Sequence, residues 1–203
     1  MAKWQYTKGL HEVGNGLYAY LLPDGGWGWS NAGLIVDGEE TVLIDTLFDL
    51  PLTREMLSTM RDAVPAAKDI GRLINTHANA DHVWGNQLVS DAKIIASSGA
   101  AEEFDHFMPS QLEEMMANAK NLGILGEFLE HCFAPFDFSG IELTPPTITF
   151  DDRMSLTCGD RAIDLYNVGP AHTRGDVLTH VPDDRLIFTG DIIFNGGHPV
   201  IWD

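Results

Sequence analysis

Three short apolar runs, over residues 71–75, 161–168 and 185–189, each break directly into a loop that carries histidine or aspartate. The first loop reads Thr76-His77-Ala78-Asn79-Ala80-Asp81-His82, the second Gly169-Pro170-Ala171-His172-Thr173-Arg174-Gly175-Asp176, and the third closes on Gly190-Asp191. Apolar runs of this length bounded by Gly and Pro are strand signals. A fold for this chain must therefore place three polar clusters at strand exits, where open α/β sheets commonly hold ligands. In an irregular loop after a strand, alternate side chains can point into one cavity, and Ala78 and Ala80 leave space around His77, Asp81 and His82. Neutral imidazoles and carboxylates gathered from separate segments, with one position left for water, are what a zinc-type centre needs.

The remaining segments supply layers around such a site. Residues 16–22 and 33–36 read as β segments, and Thr41-Val42-Leu43-Ile44-Asp45 follows the turn-forming Asp37-Gly38-Glu39-Glu40, which predicts antiparallel hairpins. Residues 51–64 open on a proline and place Leu52, Met56, Leu57, Met60 and Val64 at helical spacing. A short helix is expected over 83–89, a strand over 93–96, and a Met- and Glu-rich helical stretch over 100–131 with breaks near Pro109 and Gly123 to Gly126. Short strands return over 147–150, 154–157, 161–168, 177–181 and 185–189. Strands, then helices, then strands imply a layered α/β sandwich and not a doubly wound sheet.

Charge narrows the partners. Twelve basic against thirty acidic residues leave a net charge of −18, a field that repels phosphate backbones and anionic lipid, so neither nucleic acid nor membrane is an expected partner. Met1-Ala2-Lys3-Trp4-Gln5-Tyr6 lacks the apolar core of a signal peptide, no run approaches a membrane span, and a cytoplasmic protein is expected. Cys132 and Cys158 have no CxxC spacing and read as structural thiols.

Taken in order, His77-Ala78-Asn79-Ala80-Asp81-His82, then Gly169 to Gly175 around His172-Thr173, then Gly190-Asp191, the chain resembles the metallo-β-lactamase superfamily. The similarity also takes in Asn31-Ala32-Gly33-Leu34-Ile35-Val36-Asp37-Gly38 and Leu43-Ile44-Asp45-Thr46, and runs from about Tyr18 to Asp191. It implies a four-layer αββα sandwich, one domain over 1–203 with a helical insertion at about 100–146. It also implies metal ligands. His77 and His172 would bind one ion, with Asn79 standing where a second histidine is usual; Asp81 and His82 would bind the other; Asp191 would bridge. A carboxamide is a poorer ligand than imidazole, so the Asp81/His82/Asp191 position is expected to fill first. Zinc is the first expectation, one or two ions, with iron or manganese open at a carboxylate-rich site. The resemblance further implies a histidine well beyond the bridging aspartate; it has no counterpart before Asp203, and a chain lacking its C-terminal part is expected, since ending there would expose an apolar sheet edge.

The implied chemistry is metal-assisted hydrolysis of an ester, thioester, lactone or amide of a small or medium acyl substrate: a bound ion brings the pKa of water from about 16 to about 7. Asp81 is expected to orient that water and take its proton, and Thr173 or the backbone at Gly175 to steady the His172 loop. Alternatives within the fold are a polyketide cyclase-like biosynthetic enzyme and a metal-impaired, non-catalytic member. Trp27 and Trp29 suit either an aromatic flap or a packed loop. His198 is expected to line the pocket without ligating, and the Phe104/Phe107 and Met108/Met115/Met116 stretch to serve helix packing.

Overall fold

The computed structural model describes residues 6–202; Asp203 and the stretch Met1 to Gln5, read above for a leader, lie outside them. Strands β1 (Gly9–Gly14), β2 (Leu17–Leu21), β3 (Ala32–Asp37), β4 (Glu40–Ile44), β5 (Arg72–Ile74), β6 (Lys93–Ser97) and β7 (Ile148–Phe150) form one sheet in that spatial order. β1 to β4 are the predicted antiparallel hairpins, while β4 to β7 run parallel. Parallel neighbours require crossovers, and helices provide them. α1 (Leu50–Ala63) joins β4 to β5, and α3 (Ser98–Glu103), α4 (Pro109–Ala117) and α5 (Ile124–Phe133) lie between β6 and β7. β8 (Arg153–Cys158), β9 (Arg161–Asn167), β10 (Val177–Val181) and β11 (Leu186–Phe188) make a second, antiparallel sheet in the order β11-β10-β9-β8.

Alternation along the strands separates the two cores. Leu34, Leu43, Leu73 and Ile94 face Met56, Leu57 and Met60 of α1, whereas Ile35, Val42, Ile44, Ile74 and Ile95 face Ile163, Leu165, Val177 and Val181 of the second sheet. A one-residue slip in any of these strands would exchange the two sets, which is why the register is firmly specified. Helix, sheet and sheet are thus stacked in the order the α/β sandwich requires. On β9 and β11, Tyr166 and Ile187 remain 38% and 49% exposed.

Local chemistry sets the helix ends. Asp49 caps α1 by accepting from the Leu52 amide at 2.8 Å, and Pro51 sits in the first turn, where its missing N–H costs nothing. The breaks foreseen at Pro109 and Gly123 are real: Pro109 opens α4, and Gly123 precedes α5 with φ +58, a conformation that disfavours other residues. The edge strand β1 was not anticipated. Its residues are nearly all half-buried, so no period-2 contrast marks it, and its pairing with β2 defines it instead.

Candidate metal centre

The C-terminal ends of β4 and β5 are adjacent because these strands are parallel, and the loops after them form one wall of the site. Asp45 leaves β4 at φ +60, an unusual conformation for a non-glycine residue. Its buried carboxylate accepts from the Thr76 amide and the Thr76 hydroxyl, both at 2.7 Å, and from His82 Nδ1 at 2.9 Å. The Thr76 hydroxyl, having donated its proton to Asp45, accepts from His77 Nδ1 at 3.0 Å. One carboxylate therefore fixes two imidazoles, one directly and one through a hydroxyl, and both rings turn Nε2 inward.

The second sheet supplies the facing wall. The Val177 amide donates to the Thr76 carbonyl at 2.7 Å, tying the loop after β9 to the loop after β5. Within that loop Asp176, which is buried, accepts from the Thr173 amide at 2.8 Å and the Thr173 hydroxyl at 2.9 Å, and Ser97 donates to the Gly175 carbonyl at 2.6 Å. Thr173 and Gly175 are thus held as expected, but the holding groups, Asp176 and Ser97, were not singled out beforehand. After β11, Gly190 takes φ +51 and packs so tightly on Thr76 that an added Cβ would lie 2.6 Å from its hydroxyl, which brings Asp191 over the histidines.

All five acidic and imidazole groups picked out in the sequence lie close together. His77 and His82 ring centroids are 4.3 Å apart and His77 and His172 5.0 Å apart. His82 Nε2 lies 3.2 Å from Asp191 and 3.8 Å from Asp81, and His172 Nε2 lies 3.8 Å from Asp191. The tightest set is His77, His82 and Asp191, one ligand-type atom from each falling within 4.8 Å of the others. Asp81, expected beside His82 and Asp191, is not in that set, its carboxylate lying 3.8 Å from His82 Nε2. Asn79 turns its amide nitrogen to 3.0 Å from His172 Nε2. His198 is exposed.

Electrostatics shows how strongly these groups act on one another. Burial, aided by His82, pushes the His77 ring well below its ordinary pKa. Burial opposes charge on His82 as well, yet the carboxylates of Asp191, Asp81 and Asp45 outweigh it and push that ring well above. Burial also disfavours ionised Asp191, but His82, His77 and His172 overcome it and hold the carboxyl well below the usual range. For Asp81 burial prevails and the pKa rises. The buried Nε2 atoms of His77 and His82 have no aligned hydrogen-bond partner. Two orphaned buried imidazole nitrogens beside a carboxylate fit a divalent cation, because a buried polar atom without a partner is costly and a metal would satisfy both.

The surroundings are aromatic. Trp27, 45% exposed, meets Phe128 of α5 and Trp202 edge-on at 5.9 and 6.1 Å, while Trp29 packs against Phe136 at 4.8 Å, so one tryptophan faces outward and the other inward. The Trp202 amide donates to the His172 carbonyl, and Ser30, next to Trp29, donates to the Asp81 carbonyl, which fastens this aromatic wall to the site. A hollow of about 380 Å³ opens among Trp27, Trp29, Phe128, Cys132 and Pro135. Another of about 350 Å³, lined by Glu39, Glu40, Arg72 and Lys93, lies at the opposite strand ends and has no part in the cluster. Phe104 is buried and Met115 and Met116 pack against the same apolar cluster, whereas Phe107 and Met108 are about two-fifths exposed.

A family profile described as the metallo-beta-lactamase superfamily matches residues 25–203, and the chain belongs to that superfamily. Among characterised proteins it is similar to the acyl-coenzyme A thioesterase MBLAC2 of Homo sapiens, at 24% identity over 181 residues, and to its Bos taurus counterpart, at 24% over 183. Each alignment covers 82% of this chain and 59% of the relative, so the chain spans about three-fifths of their length. Its fold matches the metallo-beta-lactamase from Pontibacter korlensis with a TM-score of 0.62 at 17% identity, covering 89% of this chain and 69% of the other. A metallo-beta-lactamase from Hirschia baltica matches with 0.57 at 16%, over 89% and 69%. Among the described residues no helix is long and apolar enough to cross a membrane.

Proposed function

We propose that this chain is a metal-dependent hydrolase of acyl substrates, with a thioester the first candidate and an ester, lactone or amide the wider class. The observation that carries it is the pair of buried rings, His77 and His82, aligned by Asp45 and left with unpartnered Nε2 atoms beside Asp191. His77, His82 and Asp191 would hold the cation, with Asp81 and His172 on either side. When bound, a zinc-like ion supplies a Lewis acid and a water activated at neutral pH. Asp81, its side chain 23% exposed and its carboxylate 3.8 Å from His82 Nε2, would orient that water and take its proton. The Trp27, Phe128 and Trp202 rings suit the apolar part of an acyl group. The thioesterase relatives favour the thioester within this class.

The test is hydrolysis of acyl-coenzyme A, a simple ester and a β-lactam by purified protein before and after chelation. Turnover of acyl-coenzyme A that chelator removes and zinc restores is expected. Turnover indifferent to chelator, or confined to the β-lactam, overturns the reading.

A further inference from the structure

We infer that Asn79 withholds His172 from the metal centre, so that the cavity takes one divalent cation tightly, on His77, His82 and Asp191, where a histidine at position 79 would let it take two. This rests on the metal-centre reading above. His172 is 4% exposed, and its Nδ1 lies 2.5 Å from the Val200 carbonyl. A carbonyl only accepts, so the ring proton sits on Nδ1, and in the neutral ring that any ligand must have, the lone pair is on Nε2. That lone pair meets the Asn79 amide at 3.0 Å. Turned about, the amide would set its oxygen against the lone pair, so the arrangement that makes a bond has the Asn79 N–H donating to His172.

His77 and His82 are arranged the other way. Their Nδ1 atoms are engaged by Thr76 and Asp45, and their buried Nε2 atoms make no aligned hydrogen bond, that of His82 lying 3.2 Å from the Asp191 carboxylate. Each ring has its Nδ1 engaged, but the Nε2 atoms of His77 and His82 look toward Asp191, whereas that of His172 is held at 3.0 Å by a neutral amide. Asn79 is held for this task, since its own carbonyl accepts from the His82 amide at 2.9 Å at the start of α2 (Ala80–Val83). To bring His172 to a metal, the amide must be displaced, and in exchange it offers only a neutral carbonyl oxygen.

The full chain, stripped of metal and titrated with zinc, separates the possibilities when bound ions are counted and imidazole ¹⁵N signals are followed. One equivalent is expected to bind tightly and a second about tenfold or more weakly, the scale of one hydrogen bond on a buried ring. During the first equivalent the His77 and His82 signals should move while His172 keeps its Nδ1–H tautomer and free Nε2 signature. Asn79→His should bind two equivalents tightly, and Asn79→Ala should let the His172 signal move with the second equivalent at lower zinc than in the unaltered chain. Two equally tight ions in the unaltered chain, a His172 signal that moves with the first, or a single ion in Asn79→His would each overturn the inference and leave the metal-centre reading intact. No zinc bound at all would end both.

Discussion

The two walls of the site are built to different standards. On the first sheet, His77 and His82 are completely or almost completely buried and share one carboxylate that fixes both ring orientations. On the second sheet, Asp191 is 26% exposed, and His172 is positioned by an amide and a main-chain carbonyl instead of a charge. The difference shows where the precision of the centre resides. Parallel strands place the Asp45 and Thr76 loops side by side with no freedom of register, whereas the facing loops reach across a gap between sheets and are tied to the first wall by the Val177 amide on the Thr76 carbonyl.

Breaking the rigid wall should have the largest effect. His82→Ala removes an inward ring nitrogen and is expected to weaken zinc binding by at least about 100-fold, since loss of even an outer partner commonly costs about 10–100-fold. Titration against a chromophoric chelator measures this, and near-native affinity would remove His82 from the site. Asp45→Ala leaves the Thr76 amide, the Thr76 hydroxyl and His82 Nδ1 without acceptors in a buried place, so urea unfolding should report a loss of about 3 kcal/mol or more. Asp45→Asn, which keeps the shape, should retain most of that stability and still lose about tenfold or more in zinc affinity.

The facing wall should respond less. Asp176→Ala frees the Thr173 amide and hydroxyl and is expected to cost about 2 kcal/mol by urea unfolding, with a smaller change in zinc affinity than Asp45→Asn. A larger change would mean that the second wall is as constrained as the first. Smallest in stability is Trp27→Ala, within about 0.5 kcal/mol because the side chain is nearly half exposed. Its effect should instead appear as a raised KM for acyl-coenzyme A with kcat little changed, and an unchanged KM would detach the aromatic wall from substrate binding.

Acidity distinguishes the two rings of the rigid wall in metal-free protein. His77 has its pKa pushed well below 6.5 on folding, so its contribution to stability is present above pH 6.5 and lost as pH falls below it. His82 has its pKa raised, so its contribution is full below 6.5 and lost as pH rises through the higher folded value. Replacing His77 with Gln should therefore flatten the acid side of the stability curve, and replacing His82 with Gln the alkaline side; the opposite pattern would exchange the two environments.

Much of this was legible in the chain. Alternation in Leu34-Ile35, Leu43-Ile44 and Ile94-Ile95 specifies strands with two buried faces, and the three loops with His or Asp at strand exits mark the cavity. β1 escaped because half-burial erases the contrast that periodicity depends on. Asp45 was visible as an acid closing an apolar strand and as part of the Leu43-Ile44-Asp45-Thr46 resemblance; nothing local says that it would serve both Thr76 and His82, which lie 31 and 37 residues further on.

Residue type and spacing by themselves determined the element order from β2 onward, the family and the proposed ligand-type groups, because these depend on local propensity and on which side chains carry lone pairs. The tertiary structure alone decided which lone pairs are free. Asn79 differs from a histidine in any reading of the chain, but that its N–H lands on His172, and that Asp45 leaves the other two rings open, follows from loops of separate sheets packed against each other. A hydrogen bond lives within a few tenths of an ångström, a scale set by packing and not by position along the chain.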